Sequence, residues 1–256
     1  LNEDLAMWPY PRILAHRGGG TLAPENTFAG LRCGMAHGFR AIEFDVMLAG
    51  DGVPVVMHDP ALGRTVQGSG SVFEHDAAEL ARMDAGAWFD AAYQGEPVPL
   101  FAEFAAFCKA HGVWMNIEIK PAPGYELETG AVVARETAAL FADELAAGDP
   151  LRLPLLSSFS DVALAAAQSN VPDLPRACLI SALDGDWERR ARALGAVAIH
   201  TNHLHLNPAL AQAVKAGGFG LFCYTVNDPR RASELLSWGV DAFCTDRIDL
   251  IGPDFA

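Results

Sequence analysis

Nine short apolar runs rich in β-branched residues are separated, for the most part, by longer amphipathic stretches, and this rhythm constrains the fold more than any other feature. The runs cover 13–16, 41–46, 53–58, 114–119, 153–159, 177–180, 197–201, 220–226 and 241–245. Stretches 25–36, 128–145, 161–168, 187–194, 208–215 and 229–238 repeat their apolar residues at helical spacing. Asn207-Pro208 and Asp228-Pro229 place a capping residue before a helix-opening proline, and Gly217 and Gly239 follow helix ends. Strands alternating with helices predict parallel strands covered by helices. Runs 41–46 and 53–58 are too close for an intervening helix, and the link holds Asp51-Gly52, a hairpin signal. The third run is therefore expected to return antiparallel to the second. Eight parallel strands remain, the number that closes a TIM (β/α)8 barrel; an open doubly wound sheet is the alternative. Residues 60–99 break the rhythm and are read as an insertion after the strand ending at His58, within a single barrel domain spanning 1–256.

At 256 residues the chain is long enough for such a barrel without disulfide staples. Its five cysteines are odd in number, widely spaced and form no C-x-x-C, so they are expected to be free thiols, as in a reducing compartment. A cytoplasmic location is the expectation, with a leader already removed left open because the chain begins at Leu1. No apolar run reaches the eighteen residues of a membrane span, so stable membrane insertion is not expected. The net charge of −14 repels nucleic acid and anionic membrane, and an anionic substrate would need local cations.

Such cations occur where a barrel keeps its chemistry, at the C-terminal ends of strands. His16-Arg17-Gly18-Gly19-Gly20 ends the first run: a proton carrier, a bidentate phosphate donor and a turn. Glu43 and Asp45 are two apart and share one face of the second run, with Ile42 and Phe44 on the other. A polar outer face has no place in a helix-covered barrel, so both carboxylates should point inward. Asn116, Glu118 and Lys120 share a face in the same way. The returning hairpin would bring His58 back to the rim beside them. Three carboxylates on neighbouring strands suit a hard divalent cation, Mg²⁺ or Ca²⁺, more than zinc. Two histidines, a cation, Arg17 and Lys120 suit displacement at a phosphodiester.

These residues resemble the glycerophosphodiester phosphodiesterase family. The resemblance spans nearly the whole chain through AHRGGGTLAPENT, AIEFDVMLAGDGVPVVMHDPALGRTVQGSGSV, MDAGAWFDAAYQGEPVPL, NIEIKP, LLSSF, CYTVND and GVDAFCTD, in family order. It implies a TIM barrel that hydrolyses glycerophosphodiesters to an alcohol and glycerol 3-phosphate. It implies His16 and His58 as the catalytic acid/base pair, Glu43, Asp45 and Glu118 as metal ligands, and Arg17 and Lys120 as phosphate contacts. Asn26 matches a polar position near the first histidine, and Tyr224 stands where the family often has Trp. The expected partner is a small-molecule glycerophosphodiester. The alternatives are a related barrel phosphodiesterase acting on lysophospholipids or phosphoinositides, a non-catalytic phosphoester-binding barrel, and a metal aldolase.

Other features carry less. His200, His203 and His205 have metal-like spacing but no evident fourth ligand, and are expected to be a polar rim loop. Phe73, Trp88 and Phe89 either wall the pocket or pack the insertion. Ser157 and Ser158 lack the G-x-S-x-G elbow of a serine hydrolase.

Overall fold

The structure is a computed structural model and describes residues 8–256; the extreme N-terminus, on which the question of a leader bears, lies outside them. The strands are β1 (Ile13–His16), β2 (Ala41–Leu48), β3 (Pro54–Val56), β4 (Trp114–Ile119), β5 (Leu155–Ser158), β6 (Arg176–Ile180), β7 (Ala198–Asn202), β8 (Gly220–Tyr224) and β9 (Ala242–Thr245). β2 pairs in parallel with β4, pairing runs on through β9, and β9 and β2 both pair with β1. The sheet therefore closes into an eight-stranded parallel barrel, and the open-sheet alternative falls. β3 lies outside the ring, antiparallel to β2, with Val46 opposite Val56 and Leu48 opposite Pro54. The hairpin expected at Asp51-Gly52 is present, with Gly52 at φ +80°.

The helices are α1 (Phe28–Ala36), α2 (Ala77–Leu80), α3 (Phe101–Ala110), α4 (Glu126–Leu140), α5 (Ala142–Ala147), α6 (Asp161–Asn170), α7 (Trp187–Ala193), α8 (Pro208–Ala216) and α9 (Pro229–Ser237). The proline-led starts are as expected: Asn207 caps Leu210 N and Asp228 caps Arg230 N. Five helices differ from the periodic reading, the first being the short α2 within the insertion, where no periodic stretch is read. α1 begins at Phe28, because Thr27 accepts from Gly30 N and Asn26 adopts a left-handed φ of +57°. The stretch predicted over 128–145 is two helices that meet at Phe141. α3 is additional: Leu100 makes no side-chain cap, so the segment carries no start signal, although its buried Phe101, Phe104, Ala105 and Cys108 follow helical spacing.

Period two sorts each strand into two environments. Ile42, Phe44 and Val46 of β2 face the helices in the main core, while Ala41 faces the barrel axis in a second, smaller cluster. That inner layer is rich in alanine (Ala41, Ala177, Ala198, Ala242), and the space so left is filled by Trp8 and Tyr10 from the N-terminal segment. Trp8 packs 5.7 Å from the Phe222 ring, and Tyr10 stacks 4.7 Å from Trp114. A third cluster joins the insertion to the hairpin, with Met47, Val55 and Met57 meeting Val66, Val72, Leu80 and Val98. All five cysteines are unpaired, and four are buried. No helix among the described residues is long and apolar enough to cross a membrane.

The α4–α6 crossing depends on Gly130, where an added Cβ would lie 2.1 Å from the Ala163 carbonyl oxygen. Alanine normally favours a helix interior over glycine by about 1 kcal/mol. Here the clash is with backbone, and overpacking of that kind costs about 1–3 kcal/mol. Gly130→Ala is expected to lower the thermal midpoint by several degrees in a denaturation scan; an unchanged or raised midpoint contradicts this packing.

Candidate active site

The site begins in the loop after β1. Arg17 (φ +51°), Gly18 (φ +89°) and Gly20 (φ +54°) turn the chain sharply, and Asn26 N donates to Arg17 O at 3.0 Å. Arg17 and Asn26 are non-glycine residues in the left-handed region, a conformation that costs on the order of 1–2 kcal/mol each. What they gain is a common target. Asn26 Nδ2 donates to Asp45 Oδ2 at 2.9 Å, and Arg17 Nε lies 3.4 Å from the same oxygen. Lys120 Nζ approaches Asp45 Oδ1 at 3.4 Å. Burial alone would push the Asp45 carboxyl up, but Lys120, Arg17, His58 and Asn26 outweigh it and hold it low. Asp45 is therefore a fixed negative charge, although only 1% exposed.

Parallel register places the other carboxylates beside it. Asp45 pairs with Glu118 across β2 and β4, and Glu43 with Asn116. One oxygen from each of Glu43, Asp45 and Glu118 lies within 4.8 Å of the other two. Burial and the neighbouring Asp45 raise the pKa of both Glu43 and Glu118. Glu43 Oε2 is buried without a hydrogen-bond partner. Three crowded carboxylates, two of them reluctant to ionise and one with an orphaned oxygen, fit an oxygen-ligated divalent cation that would supply the missing positive charge. Among the described residues this is the one cluster with metal-ligand geometry.

Both histidines border the same space. His16 ends β1, with Nε2 3.6 Å from Glu43 Oε2. Met57 N donates to Asp45 O at 3.1 Å, which pins the hairpin's return and delivers His58 to the rim. His16, Arg17, Glu43, His58, Glu118 and Lys120 line a cavity of about 170 Å³, bordered also by Asn116, His200, Phe159 and Tyr224. The structure thus brings six of the seven predicted residues to one cavity, with Asp45 alongside. Burial pulls His16 down, but its hydrogen bond to Asp246 and the charge of Glu43 hold its pKa above the usual value. Burial, Arg17 and Lys120 push His58 below it, against the pull of Asp45. Arg17 Nε is buried against Asp45 and Nη1 is engaged by Glu25, which leaves Nη2 for an anion, and the Lys120 contacts, at 3.4 and 3.7 Å, leave that ammonium donors as well.

The remaining candidates separate. His200 is fully buried beside Phe222, at 4.4 Å between ring centroids, whereas the His203 carbonyl accepts from Arg231; the three histidines do not form a metal cluster. Burial alone takes His200 down to about 3. Trp88 and Phe89 wall a second groove with His16, Arg17 and Asp246, while Phe73 stacks on Tyr125 instead. Ser157 is buried, and Ser158 Oγ donates to Ile119 O. Asp59, Arg64, Glu25, Asn227 and Asp246 border the site without having been assigned a role from sequence. Asp59 adjoins His58, and that adjacency was the available signal; Asp246 is 230 positions from its partner His16.

The family model for the glycerophosphoryl diester phosphodiesterase family matches residues 16–250. A glycerophosphodiester phosphodiesterase of Bacillus subtilis is 30% identical over 257 residues, covering 93% of this chain and 85% of its own. One from Caldanaerobacter subterraneus subsp. tengcongensis is 29% identical, covering 91% and 93%. Among solved structures, an Oleispira antarctica phosphodiesterase in complex with the product sn-glycerol-3-phosphate superposes with a TM-score of 0.83 at 34% identity, covering 92% of this chain and 93% of that one. With the barrel and this match along nearly its whole length, the chain belongs to the glycerophosphoryl diester phosphodiesterase family.

Proposed function

We propose that this chain hydrolyses glycerophosphodiesters to an alcohol and glycerol 3-phosphate by two-histidine acid/base catalysis at the cavity between β1, β2 and β4. Glycerophosphodiester hydrolysis is the activity of its family; the division of labour among its residues is our reading. The observation that carries it is the convergence of His16, His58, Glu43 and Glu118 on one small cavity, with Asp45 clustered behind the two glutamates. Residues 1–256 act as one catalytic barrel, with the insertion at about 60–99 forming part of the rim.

Glu43, Asp45 and Glu118 would hold the cation, Mg²⁺ or Ca²⁺. When bound, such an ion withdraws charge from phosphate oxygens and orients them. The Arg17 guanidinium and the Lys120 ammonium bind the phosphate, which explains how an acidic protein captures an anion. One histidine removes the proton from the attacking oxygen, either water or the substrate's own glycerol hydroxyl; in the second case the cyclic phosphate that forms is opened by water in a further step to give glycerol 3-phosphate. The other donates a proton to the departing alkoxide, so the O–P bond breaks without releasing a bare anion. After each turnover the pair has exchanged one proton, which returns through solvent. Glycerol 3-phosphate in the superposed Oleispira antarctica structure supports a small phosphoester substrate. The five unpaired cysteines favour a cytoplasmic location.

A second reading, with lysophospholipids as substrates, is favoured by exposed apolar side chains on the strand-end face: Trp88 (40% exposed), Phe159 (46%) and Leu204 (73%). Turnover of a panel of glycerophosphodiesters and lysophospholipids, read as alcohol release and as glycerol 3-phosphate, separates the two. The first reading predicts preference for the deacylated diesters; preference for the acylated ones favours the second.

His16→Ala and His58→Ala are each expected to lower kcat by about 10²–10⁴-fold while both proteins stay folded. Activity within about threefold of wild type in either would contradict a role in proton transfer. Chelation should abolish turnover, and Mg²⁺ or Ca²⁺ should restore it. The same ions should raise the thermal midpoint of the wild type by several degrees, since saturation at 100 times Kd stabilises by about 2.7 kcal/mol. Glu118→Gln should lose most of that increment; retaining it would contradict Glu118 as a ligand.

A further inference from the structure

Each imidazole at the cavity is gripped from behind by a carboxylate. His16 Nδ1 lies 2.5 Å from Asp246 Oδ1, and His58 Nδ1 lies 2.6 Å from Asp59 Oδ1. An ionised carboxylate only accepts, so both contacts require the proton on Nδ1. In the neutral ring this leaves Nε2 with a free lone pair, and for His16 that nitrogen is on the Glu43 side.

Both carboxylates are themselves immobilised. Asn227 Nδ2 donates to Asp246 Oδ2 at 2.9 Å, and Asp246 N donates to Asn227 Oδ1 at 2.8 Å. Thr21 N donates to the Asp246 carbonyl at 2.9 Å, so the loop after β1 and the end of β9 are tied at that residue. Asp59 Oδ2 accepts from Arg64 Nε at 2.5 Å. Arg64 spends its other two nitrogens on Glu25, at 2.8 and 2.7 Å, and Glu25 accepts from Arg17 Nη1 at 2.8 Å. The two arrangements use unrelated residues from opposite parts of the chain, yet they produce the same result: a fixed acceptor at Nδ1. A contact that merely joined loops would not need to meet a ring nitrogen in both cases.

We propose that Asp246 and Asp59 are a matched pair of positioning residues, which fix His16 and His58 in the Nδ1-protonated tautomer with Nε2 left to exchange protons in the shared cavity. The proposal rests on the two-histidine reading above. It adds that neither histidine works without its own carboxylate, and that Asn227 and Arg64 act one step further back.

Asp246→Asn and Asp59→Asn, made in the full chain, test this. Each amide keeps the shape but offers an N–H to the ring and so permits the other tautomer. Long-range ¹H–¹⁵N spectra of the histidine rings, assigned with His16→Gln and His58→Gln, should show Nδ1-protonated rings at both positions in the wild type. Each Asn variant should shift its own histidine toward the Nε2-protonated form and leave the other unchanged. With metal supplied and glycerophosphocholine as substrate, kcat should fall by about 10²–10⁴-fold, with KM within about twofold and a near-wild-type thermal midpoint. Asp246→Glu should recover part of the turnover lost in Asp246→Asn. Unchanged ring spectra in either Asn variant overturn the proposal for that pair. So does a loss of turnover that only follows a falling thermal midpoint. The spectra need no substrate: a wild type that leaves glycerophosphodiesters intact sinks the functional reading, while the ring nitrogens still decide the pairing.

Discussion

The structure depends on an imbalance of charge at the strand ends of the barrel. Three largely buried carboxylates converge there, and Asp45 alone is compensated from several sides, by Asn26, Arg17 and Lys120. Like charges at this spacing inside a protein are costly unless something neutralises them. The left-handed conformations of Arg17 and Asn26 are intelligible as part of the same compensation, since both side chains bring a nitrogen to Asp45. What remains uncompensated, chiefly Glu43 and Glu118, is the driving force for taking up a cation. On the proposed reading, an acidic protein thereby acquires a local centre able to hold a phosphoester.

Around that centre runs a chain of charge contacts from His58 through Asp59, Arg64, Glu25 and Arg17 to Asp45. Arg64 belongs to the insertion, so the insertion does more than cover the hairpin. It carries the guanidinium that joins the His58 side of the cavity to the Arg17 side. His16 is anchored independently, from the end of β9. The two histidines are therefore held by separate parts of the fold, one closing the barrel and one appended to it.

Much of this was legible in sequence because period two is a strict rule inside a covered barrel. Glu43 and Asp45, then Asn116, Glu118 and Lys120, had to share an inward face once the flanking isoleucines and Phe44 claimed the outer one. The Asp51-Gly52 turn placed His58 by the same logic. The rest depended on contacts that local pattern does not encode. Asp246 meets His16 across 230 positions, and Arg64 meets Glu25 across 39. Helix α3 lacked a capping signal, α1 gave up its first residues to the Asn26 turn, and Phe141 divides α4 from α5. His200 resembled a rim ligand by spacing with His203 and His205, but parity on β7 turns it into the barrel beside Phe222.

The most direct measurement is anomalous diffraction from a crystal equilibrated with Mn²⁺ as a stand-in for the physiological ion. The account predicts one strong peak bounded by carboxylate oxygens of Glu43, Asp45 and Glu118, on the cavity shared by His16 and His58. A saturating soak with no peak there, or with the ion held by other residues, would contradict it.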